Sequence, residues 1–407
     1  MLRTGKSLKN AAAASLALLA AASIAPASWA DPDDGQDSAC AQRVTPPPAV
    51  DSSEAPQPGH PELPPLPVPA VTVGGAALAS CGVVQPPGSP ALPQGPAHGW
   101  LVADLDNGQV LAAEDPHGRF RPASTVKTLL ALAVLNELDP KQLVQLTEGD
   151  QTADEESEHK FIQAGTTYSV FDLLEGALMV SSNGAANALA RVLGGPGGVA
   201  AAVQKMNSLA DELGAKDTRA TTPSGVEAPG GPSSSSPYDL ALIFRAAMKH
   251  ADFRKIVGQK SVSMHGNPDD FPLVNDNAML DDYPGMLGGK TGYTDDAEKT
   301  FVGAAERGRR RLVVTQMYGL NGASTFREQA AALLDWGFSS DPAIGVGKLV
   351  EPAPKPAPAA TIAAPAGGAE SSSTATTTLL LGGILAGGLV LASRELKRRK
   401  GASPTHA

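Results

Sequence analysis

The chain has 407 residues, of which 42% are hydrophobic and only 4% aromatic, so aliphatic side chains must dominate its core. This length allows one large domain, or two small ones, together with extensions. The formal net charge is -10, and an acidic chain without a basic stripe lacks the electrostatic signature of a nucleic-acid-binding protein.

Residues 1–30 have the pattern of a secretory signal peptide. Three basic residues come first, an apolar run from Ala11 to Ile24 follows, and Ser28 and Ala30 are the small residues of a cleavage site. The sequence therefore predicts cleavage before Asp31. An uncleaved anchor is the alternative, although the apolar run is shorter than a typical membrane span.

Residues 31–98 are rich in proline, alanine and glycine, which predicts a linker or a loosely packed N-terminal arm. This arm contains both cysteines of the chain, Cys40 and Cys81. A disulfide can persist in an exported protein, but the sequence leaves their pairing open. Neither cysteine has the pattern of a catalytic nucleophile.

A hairpin is predicted where the composition changes at Gly99. Two apolar runs, Trp100–Leu105 and Gln109–Ala113, flank Asn107-Gly108, which is a strong turn signal between strands.

Helical patterns dominate the middle of the chain. Ser124–Leu138 is apolar nearly all round and ends before a proline, which predicts a buried central helix. A helix over Val170–Val180 begins with a capping-box pattern, and a further helix is predicted over Ala185–Leu193. Ser236-Pro237 opens another helix, with proline at its first position.

Strand patterns return over Thr300–Ala305 and Leu312–Gly319. A last helix is predicted from Phe326 to Trp336, with Gly337 as its stop. Because strands lie at both ends and helices in between, we expect an α+β fold: residues 99–345 form an antiparallel sheet flanked by helices, with a helical insert.

The C-terminal part predicts a membrane anchor. A linker rich in proline, alanine and serine covers residues 346–374, and an apolar segment of ~18 residues follows within 375–393. The tail, residues 394–407, is basic at its start, which places it in the cytoplasm and the main domain on the extracytoplasmic side of the cell membrane. A buried core helix and a cleaved lipid-anchor signal are the disfavoured alternatives.

Ser124 and Lys127 form the first of three short motifs that could carry chemistry. Residues three apart share a helix face, so the Lys127 amine can lie beside the Ser124 hydroxyl. A serine needs a base to become a nucleophile, and a lysine can serve if burial lowers its pKa. By itself, Ser-x-x-Lys is weak, since a capping serine with a solvated lysine gives the same pattern.

The second motif is Ser181-Ser182-Asn183, between two predicted helices. A loop hydroxyl could relay a proton and a loop amide could hold a substrate, although these residue types are common in loops.

The third motif is Lys290-Thr291-Gly292, within a glycine-rich segment that ends in Tyr293-Thr294. Glycine in a strand lets a ligand backbone approach, and Lys290 and Thr291 could bind a carboxylate. The N–H groups of Ser124 and Tyr293 could form an oxyanion hole. A phosphate loop does not fit, because no glycine stands five positions before Gly289.

Together, the three motifs match a signature of penicillin-binding proteins and class A β-lactamases. Through its Arg-Pro-Ala-Ser-x-x-Lys and Gly-Gly-Lys-Thr-Gly-Tyr-Thr segments, the chain resembles the low-molecular-mass D-alanyl-D-alanine carboxypeptidases over about Gly99–Phe338. It is similar to actinobacterial members with an export signal, a Pro-rich arm and a C-terminal membrane helix. The resemblance implies the serine acyltransferase fold of penicillin-binding proteins and β-lactamases.

The resemblance also implies roles for individual residues. Ser124 would be the acylated nucleophile, Lys127 its base, Ser181 the proton donor to the leaving D-alanine, Asn183 a substrate-positioning residue, Lys290 and Thr291 the carboxylate site, and Gly292 and Tyr293 part of the substrate-binding strand. The implied partners are peptidoglycan stem peptides that end in D-Ala-D-Ala, and β-lactam inhibitors. No cofactor is implied, and the scattered histidines predict no metal site.

Some features depart from the family pattern. Ser182 and Gly184 replace residues of the commoner Ser-Gly-Asn-Asp, and the β-rich domain that follows the catalytic domain in many relatives is missing from the pattern after Phe338. Relatives use an arginine near the last helix for the substrate carboxylate, but Arg327 cannot be matched to it from sequence.

Other activities remain open at this point. A β-lactamase of class A would add a Glu-x-x-x-Asn motif, which does not occur between Thr218 and Gly230. Endopeptidase or transpeptidase action on the same fold is not distinguished. A penicillin-sensing or wall-binding module is disfavoured, because the tail after Arg394 is too short for an output domain.

Overall fold

The structure is a computed structural model that describes residues 41–50, 59–155, 157, 160–226, 231–265, 270–320 and 325–352. The predicted signal peptide, membrane segment 375–393 and basic tail lie outside these residues, as does Cys40. Within the described ranges, none of the helices combines the length and the hydrophobicity that crossing a bilayer requires.

One antiparallel sheet organises the described part of the chain, and two separate two-stranded sheets accompany it. The strands are β1 (Val83–Val84), β2 (Ala97–Asp104), β3 (Gln109–Glu114), β4 (Leu143–Gln145), β5 (Thr167–Ser169), β6 (Ser261–Met264), β7 (Phe271–Val274), β8 (Met286–Thr294), β9 (Glu298–Arg307), β10 (Arg310–Gly319) and β11 (Gly347–Lys348). The main sheet has the order β1-β3-β2-β10-β9-β8, and β11 also pairs with β3, while the two smaller sheets are β4-β5 and β6-β7. Strands from both ends of the domain therefore meet at β2 and β10, and β8 lies at an edge.

Helices cover both faces of this sheet. They are α1 (Lys127–Glu137), α2 (Glu148–Asp154), α3 (Val170–Met179), α4 (Asn183–Gly194), α5 (Gly198–Leu213), α6 (Pro237–Ala247), α7 (Ala251–Gly258), α8 (Met279–Asp282) and α9 (Phe326–Ser339). One hydrophobic core joins α1 and its neighbours to one face, and a second joins α9 to the other. The predicted α+β fold and helical insert are confirmed.

Local signals explain several element boundaries. The β2–β3 hairpin turns at Gly108, whose φ of +78° is accessible to glycine without strain. Helix α3 begins with the predicted capping box, in which Ser169 Oγ accepts from Asp172 N and the carboxylate of Asp172 accepts from Ser169 N. Pro237 is the first residue of α6, as expected.

The prediction that Gly337 stops the last helix is wrong. Helix α9 continues to Ser339, and Gly337 lies inside it, against the sheet. A Cβ atom at this position would be 2.8 Å from Leu312 Cδ1 and 2.9 Å from Val102 Cγ1. The glycine therefore permits close packing of the helix on the strands, and does not act as a cap.

The described part of the N-terminal arm is not loosely packed, contrary to the expectation from its composition. Leu78 is fully buried in the main core, and β1 extends the sheet. Arg119, on the segment after β3, donates to the carbonyl oxygens of Val44 and Leu66 at 2.9 and 2.6 Å. Cys81 is disulfide-bonded.

Candidate active site

Ser124 lies in a short 3-10 helix, Ala123–Val126, directly before α1. The carbonyl oxygen of Pro122 accepts from Thr125 Oγ1 at 2.6 Å and from Thr300 Oγ1 at 2.9 Å. Because Thr300 belongs to β9, these bonds fix the start of the helix against the sheet. Ser124 is thereby held beside the edge strand β8.

Lys127 is buried next to Ser124, with 1% of its surface exposed. Its Nζ lies 2.7 Å from Ser124 Oγ and donates to Asn183 Oδ1, also at 2.7 Å. Burial lowers the pKa of Lys127 well below its usual value, and the charge of Lys290 lowers it further. Asp154 and Asp276 act in the opposite direction but do not cancel the effect. A neutral Lys127 can accept the Ser124 proton.

Ser181 lies between α3 and α4, in a left-handed backbone conformation with a φ of +60°. Its hydroxyl oxygen lies 3.5 Å from Lys127 Nζ and 3.0 Å from Lys290 Nζ. The strained turn therefore places a hydroxyl group between two buried amines. Such a group can pass a proton from one side of the site to the other.

Lys290 comes from the edge strand β8 and is as deeply buried as Lys127. Besides contacting Ser181, its Nζ donates to the carbonyl oxygen of Thr291 at 2.6 Å. Burial lowers the pKa of Lys290 to about 8, against a smaller opposing influence of Asp276. Lys290 therefore keeps most of its positive charge at neutral pH.

The backbone of β8 passes close to the nucleophile. A Cβ atom on Gly292 would lie 2.9 Å from Ser124 N and 2.4 Å from Thr300 Oγ1, so only glycine fits there. The side chain of Tyr293 is 57% exposed and lies at the rim of the cavity described below. The group of Tyr293 predicted to take part in catalysis is therefore its backbone N–H. An oxyanion hole made by the N–H groups of Ser124 and Tyr293 stays a prediction.

A cavity of about 660 Å³ opens in front of these residues. Residues from all three motifs line it: Ser124, Ser181, Asn183, Thr291, Gly292 and Tyr293. Lys127 and Lys290 lie behind this lining, within reach of its hydroxyl groups. The structure therefore brings all eight sequence-predicted site residues together around one opening.

Gly225 and Arg327 also line the cavity. Gly225 has a φ of +87°, and a Cβ atom there would be 2.0 Å from the carbonyl oxygen of Ala123. Arg327 lies at the α9 side, where its Nη1 forms an ion pair with Asp282 at 2.8 Å.

Two carboxylates near the lysines were not indicated by any sequence pattern. Asp154 and Asp276 both raise the pKa of Lys127, and Asp276 also raises that of Lys290. Asp154 ends α2, and Asp276 follows β7 in a segment that lines the cavity. A single acidic residue in a loop or at a helix end gives no signal until the fold is known.

A buried group of His117, Asp217 and Asp239 has atoms close enough to hold a metal ion. Protein groups use these atoms, however. Asp217 contacts His117 Nδ1 at 2.7 Å and accepts from Arg119 Nε at 3.2 Å, while Asp239 accepts from Thr218 Oγ1. The neighbouring arginine makes this group an ion-pair network rather than a cation site.

The chain is similar in sequence to known proteins. A sequence model described as D-alanyl-D-alanine carboxypeptidase matches residues 87–319. The D-alanyl-D-alanine carboxypeptidase DacB2 of Mycobacterium tuberculosis is 48% identical over 268 residues, which cover 65% of this chain and 90% of that protein. The D-alanyl-D-alanine carboxypeptidase DacF of Bacillus subtilis is 32% identical over 251 residues, covering 59% of this chain and 61% of DacF.

Solved structures show the same fold. The crystal structure of a D-alanyl-D-alanine carboxypeptidase from Mycobacterium tuberculosis matches with a TM-score of 0.62 and 48% identity, covering 65% of this chain and 99% of that one. The Streptomyces K15 DD-transpeptidase matches with a TM-score of 0.57 and 26% identity, covering 62% and 100%. The chain belongs to the D-alanyl-D-alanine carboxypeptidase family of serine peptidases.

Proposed function

We propose that this protein removes the terminal D-alanine from peptidoglycan stem peptides by way of an acyl-enzyme at Ser124. The contact that carries the proposal is the 2.7 Å distance between Lys127 Nζ and Ser124 Oγ, at the mouth of the cavity. An amide oxygen only accepts hydrogen bonds, so Asn183 Oδ1 must take an N–H of Lys127. The lone pair of a neutral Lys127 is then available for the Ser124 hydroxyl proton.

Acylation follows from this arrangement. Lys127 takes the proton of Ser124, and Oγ attacks the carbonyl carbon of the penultimate D-alanine. The N–H groups of Ser124 and Tyr293 receive the negative charge on the carbonyl oxygen. When the C–N bond breaks, Ser181 gives its proton to the leaving amine and is reprotonated by Lys127, which restores the neutral base.

Deacylation repeats these steps with water. Lys127 takes a proton from a water molecule and the hydroxide attacks the acyl carbon. Lys127 then returns this proton to Ser124 Oγ as the C–O bond breaks, so the serine leaves as the alcohol. The shortened peptide is released with a new carboxylate, and the enzyme returns to its starting state.

The β8 edge supplies the substrate-binding groups. Lys290 carries a positive charge at neutral pH, and Thr291 lines the cavity, so the two can bind the terminal carboxylate of the substrate. Arg327 lines the same cavity and is a second candidate for this contact, provided that its ion pair with Asp282 opens. An extended peptide can add to β8, because this strand is the last in the sheet order of the described residues.

Product analysis tests the activity. The full-length protein is incubated separately with a pentapeptide muropeptide, with a cross-linked dimer and with penicillin, and products are identified by mass, with Ser124→Ala as the control. Release of D-alanine and slow loss of a penicillin adduct at Ser124 support the proposal. Cleavage of the dimer alone would make the protein an endopeptidase, and rapid penicillin hydrolysis would make it a β-lactamase.

We further propose that the enzyme is exported and anchored in the cell membrane by residues 375–393. Support comes from the sequence: this apolar segment is followed at once by the basic residues that begin the tail. Protease treatment of intact cells tests the orientation. The catalytic domain should be cleaved from outside and the tail protected, whereas recovery of the whole protein in the soluble fraction would contradict the anchor.

A further inference from the structure

The carboxylate of Asp154 is almost completely buried at the end of α2, with 2% exposure. Among the described residues it accepts five hydrogen bonds from neutral donors: Ser157 Oγ at 2.8 Å, Ser182 Oγ at 2.6 Å, Gly184 N at 3.2 Å, and Phe161 N and Ile162 N at 3.0 Å each. Burying a charge is costly unless several donors compensate it. This arrangement therefore fixes one orientation of the carboxylate.

Asp154 is linked to the Ser181–Asn183 turn by two routes, one direct and one through Ser157. It accepts from Ser182, the middle residue of the second motif, and from Ser157, whose Oγ in turn accepts from the backbone N–H of Asn183 at 2.8 Å. The side chain of Asn183 contacts Lys127 Nζ. A short chain of hydrogen bonds thus runs from Asp154 to the proposed base.

The turn that these bonds hold is one that a serine rarely adopts. Ser181 has a φ of +60°, and non-glycine residues keep such a conformation only when the surrounding contacts impose it. The backbone N–H of Ser182 donates to Gly176 O at 3.0 Å, which adds a contact from α3. The Asp154 carboxylate contacts Ser182 and Gly184, on the C-terminal side of Ser181 in the same turn.

Asp154 also contributes charge. In the part of the chain that the structure describes, the charged groups that shift the pKa of Lys127 are Lys290 from β8, Asp154 from α2 and Asp276 from the segment after β7. A nearby negative charge favours the protonated lysine, so Asp154 keeps the pKa of Lys127 higher than burial and Lys290 alone would set it.

We propose that Asp154 is a positioning residue for this reaction, which holds the Ser181–Asn183 turn against Lys127 and adds a negative charge behind it. This inference rests on the proposed function, because it assigns Lys127 the role of base. It predicts two separable effects, one on the geometry of the turn and one on the pH at which Lys127 becomes neutral.

Asp154→Asn in the full-length protein tests both effects. The amide keeps the size of the side chain but replaces one accepting oxygen with an NH2 group, which cannot accept a hydrogen bond. We therefore expect penicillin acylation of Ser124 to slow by about 10- to 100-fold. Removing the negative charge lowers the pKa of Lys127, so the acidic limb of the acylation pH profile should move to lower pH.

Two further variants separate positioning from general damage. Ser157→Ala breaks the link to Asn183 but leaves the charge, so acylation should slow by about 5-fold with the acidic limb unmoved. Asp150→Asn removes a buried carboxylate from the same helix, where it binds Arg191 and Thr147 and has no part in the charges acting on Lys127. This control should lower stability without moving the pH profile.

The outcomes are decisive. Wild-type acylation rates in both Asp154→Asn and Ser157→Ala would overturn the proposal. It would also be overturned if acylation slowed equally in Asp154→Asn and Asp150→Asn and the acidic limb of the Asp154→Asn pH profile did not move. If Asp154→Asn does not fold, a wild-type rate in Ser157→Ala overturns the positioning role. Absence of a Ser124 adduct in the wild-type protein would instead contradict the proposed function itself.

Discussion

Lys290 Nζ lies 3.0 Å from Ser181 Oγ, although the two residues are 109 positions apart in the chain. The same oxygen is 3.5 Å from Lys127 Nζ, so one hydroxyl group stands between two buried amines. Burial disfavours the charge on each amine, and the positive charge of Lys290 further disfavours protonation of Lys127. The pKa of Lys127 falls well below that of a free lysine, whereas that of Lys290 falls to about 8. The two amines can therefore divide the roles of base and cation.

Replacing Lys127 should abolish base catalysis but preserve the cavity. In Lys127→Arg the guanidinium stays protonated and cannot accept the Ser124 proton, so we expect penicillin acylation to slow by about 100- to 10,000-fold. Mass spectrometry of the adduct with time measures this rate. Lys205→Arg is a matched control, because Lys205 pairs with Glu137 on the partly exposed surface. An acylation rate within about 3-fold of the wild type in Lys127→Arg would remove Lys127 from the mechanism.

The pH dependence should follow from the two lysines. Activity requires a neutral Lys127, so kcat/KM should rise as pH increases through the low pKa of that residue. Binding of the substrate carboxylate requires a charged Lys290, so kcat/KM should fall above a pH of about 8. Lys290→Arg should move this alkaline limb to higher pH, because arginine stays charged. An alkaline limb that stays at the same pH in this variant would assign it to another group.

The sequence predicts much of this site, because each catalytic motif has a recognisable local context. Ser124 and Lys127 begin a helix, Ser181 lies between two helices, and Lys290 lies in a glycine-rich strand. Their convergence follows from the resemblance to a known family. Asp154 could not be predicted in this way, since it acts through single hydrogen bonds to residues that are distant in sequence.

The structure differs from two predictions, one on the packing of the N-terminal arm and one on the end of helix α9. The proline-rich arm suggested loose packing, but its carbonyl groups are bound by buried side chains of the segment after β3, including Arg119 and His117. Gly337 suggested a helix end, but it lies within α9 where the helix packs so close to the sheet that a Cβ atom would not fit. Both outcomes depend on tertiary contacts that no local pattern encodes.

Gly225→Ala should slow acylation of Ser124 by displacing the backbone next to the nucleophile. The new Cβ atom would lie 2.0 Å from the carbonyl oxygen of Ala123, which precedes the nucleophile, so Ser124 must shift. A misplacement of about 1 Å can cost roughly 100-fold in rate. Gly308→Ala is the control: Gly308 also has a positive φ, of +65°, but a Cβ atom there meets nothing within 4 Å. Penicillin acylation should be slowed only in Gly225→Ala, and equal rates in the two variants would contradict the proposed clash.

Arg119→Met should destabilise the protein by releasing the N-terminal arm. Besides two other arm carbonyls, Arg119 Nη2 donates to Pro67 O at 3.0 Å, and its Nε pairs with the buried carboxylate of Asp217. Removing one partner of a buried ion pair typically costs about 3–5 kcal/mol, because the remaining charge stays out of water. We therefore expect the free energy of unfolding in urea to fall by that amount, and the arm to become sensitive to protease.

The matched control for this experiment is Arg254→Met. Arg254 is exposed and, like Arg119, its guanidinium donates to backbone carbonyl groups, in this case those of Met248 and Lys249. Losing these exposed bonds should cost less than about 1 kcal/mol, since water replaces the arginine. If both variants lost the same stability, the arm would contribute little to the folded state. A large loss in Arg119→Met alone, with early cleavage between residues 59 and 80, would show that the arm is an integral part of the catalytic domain.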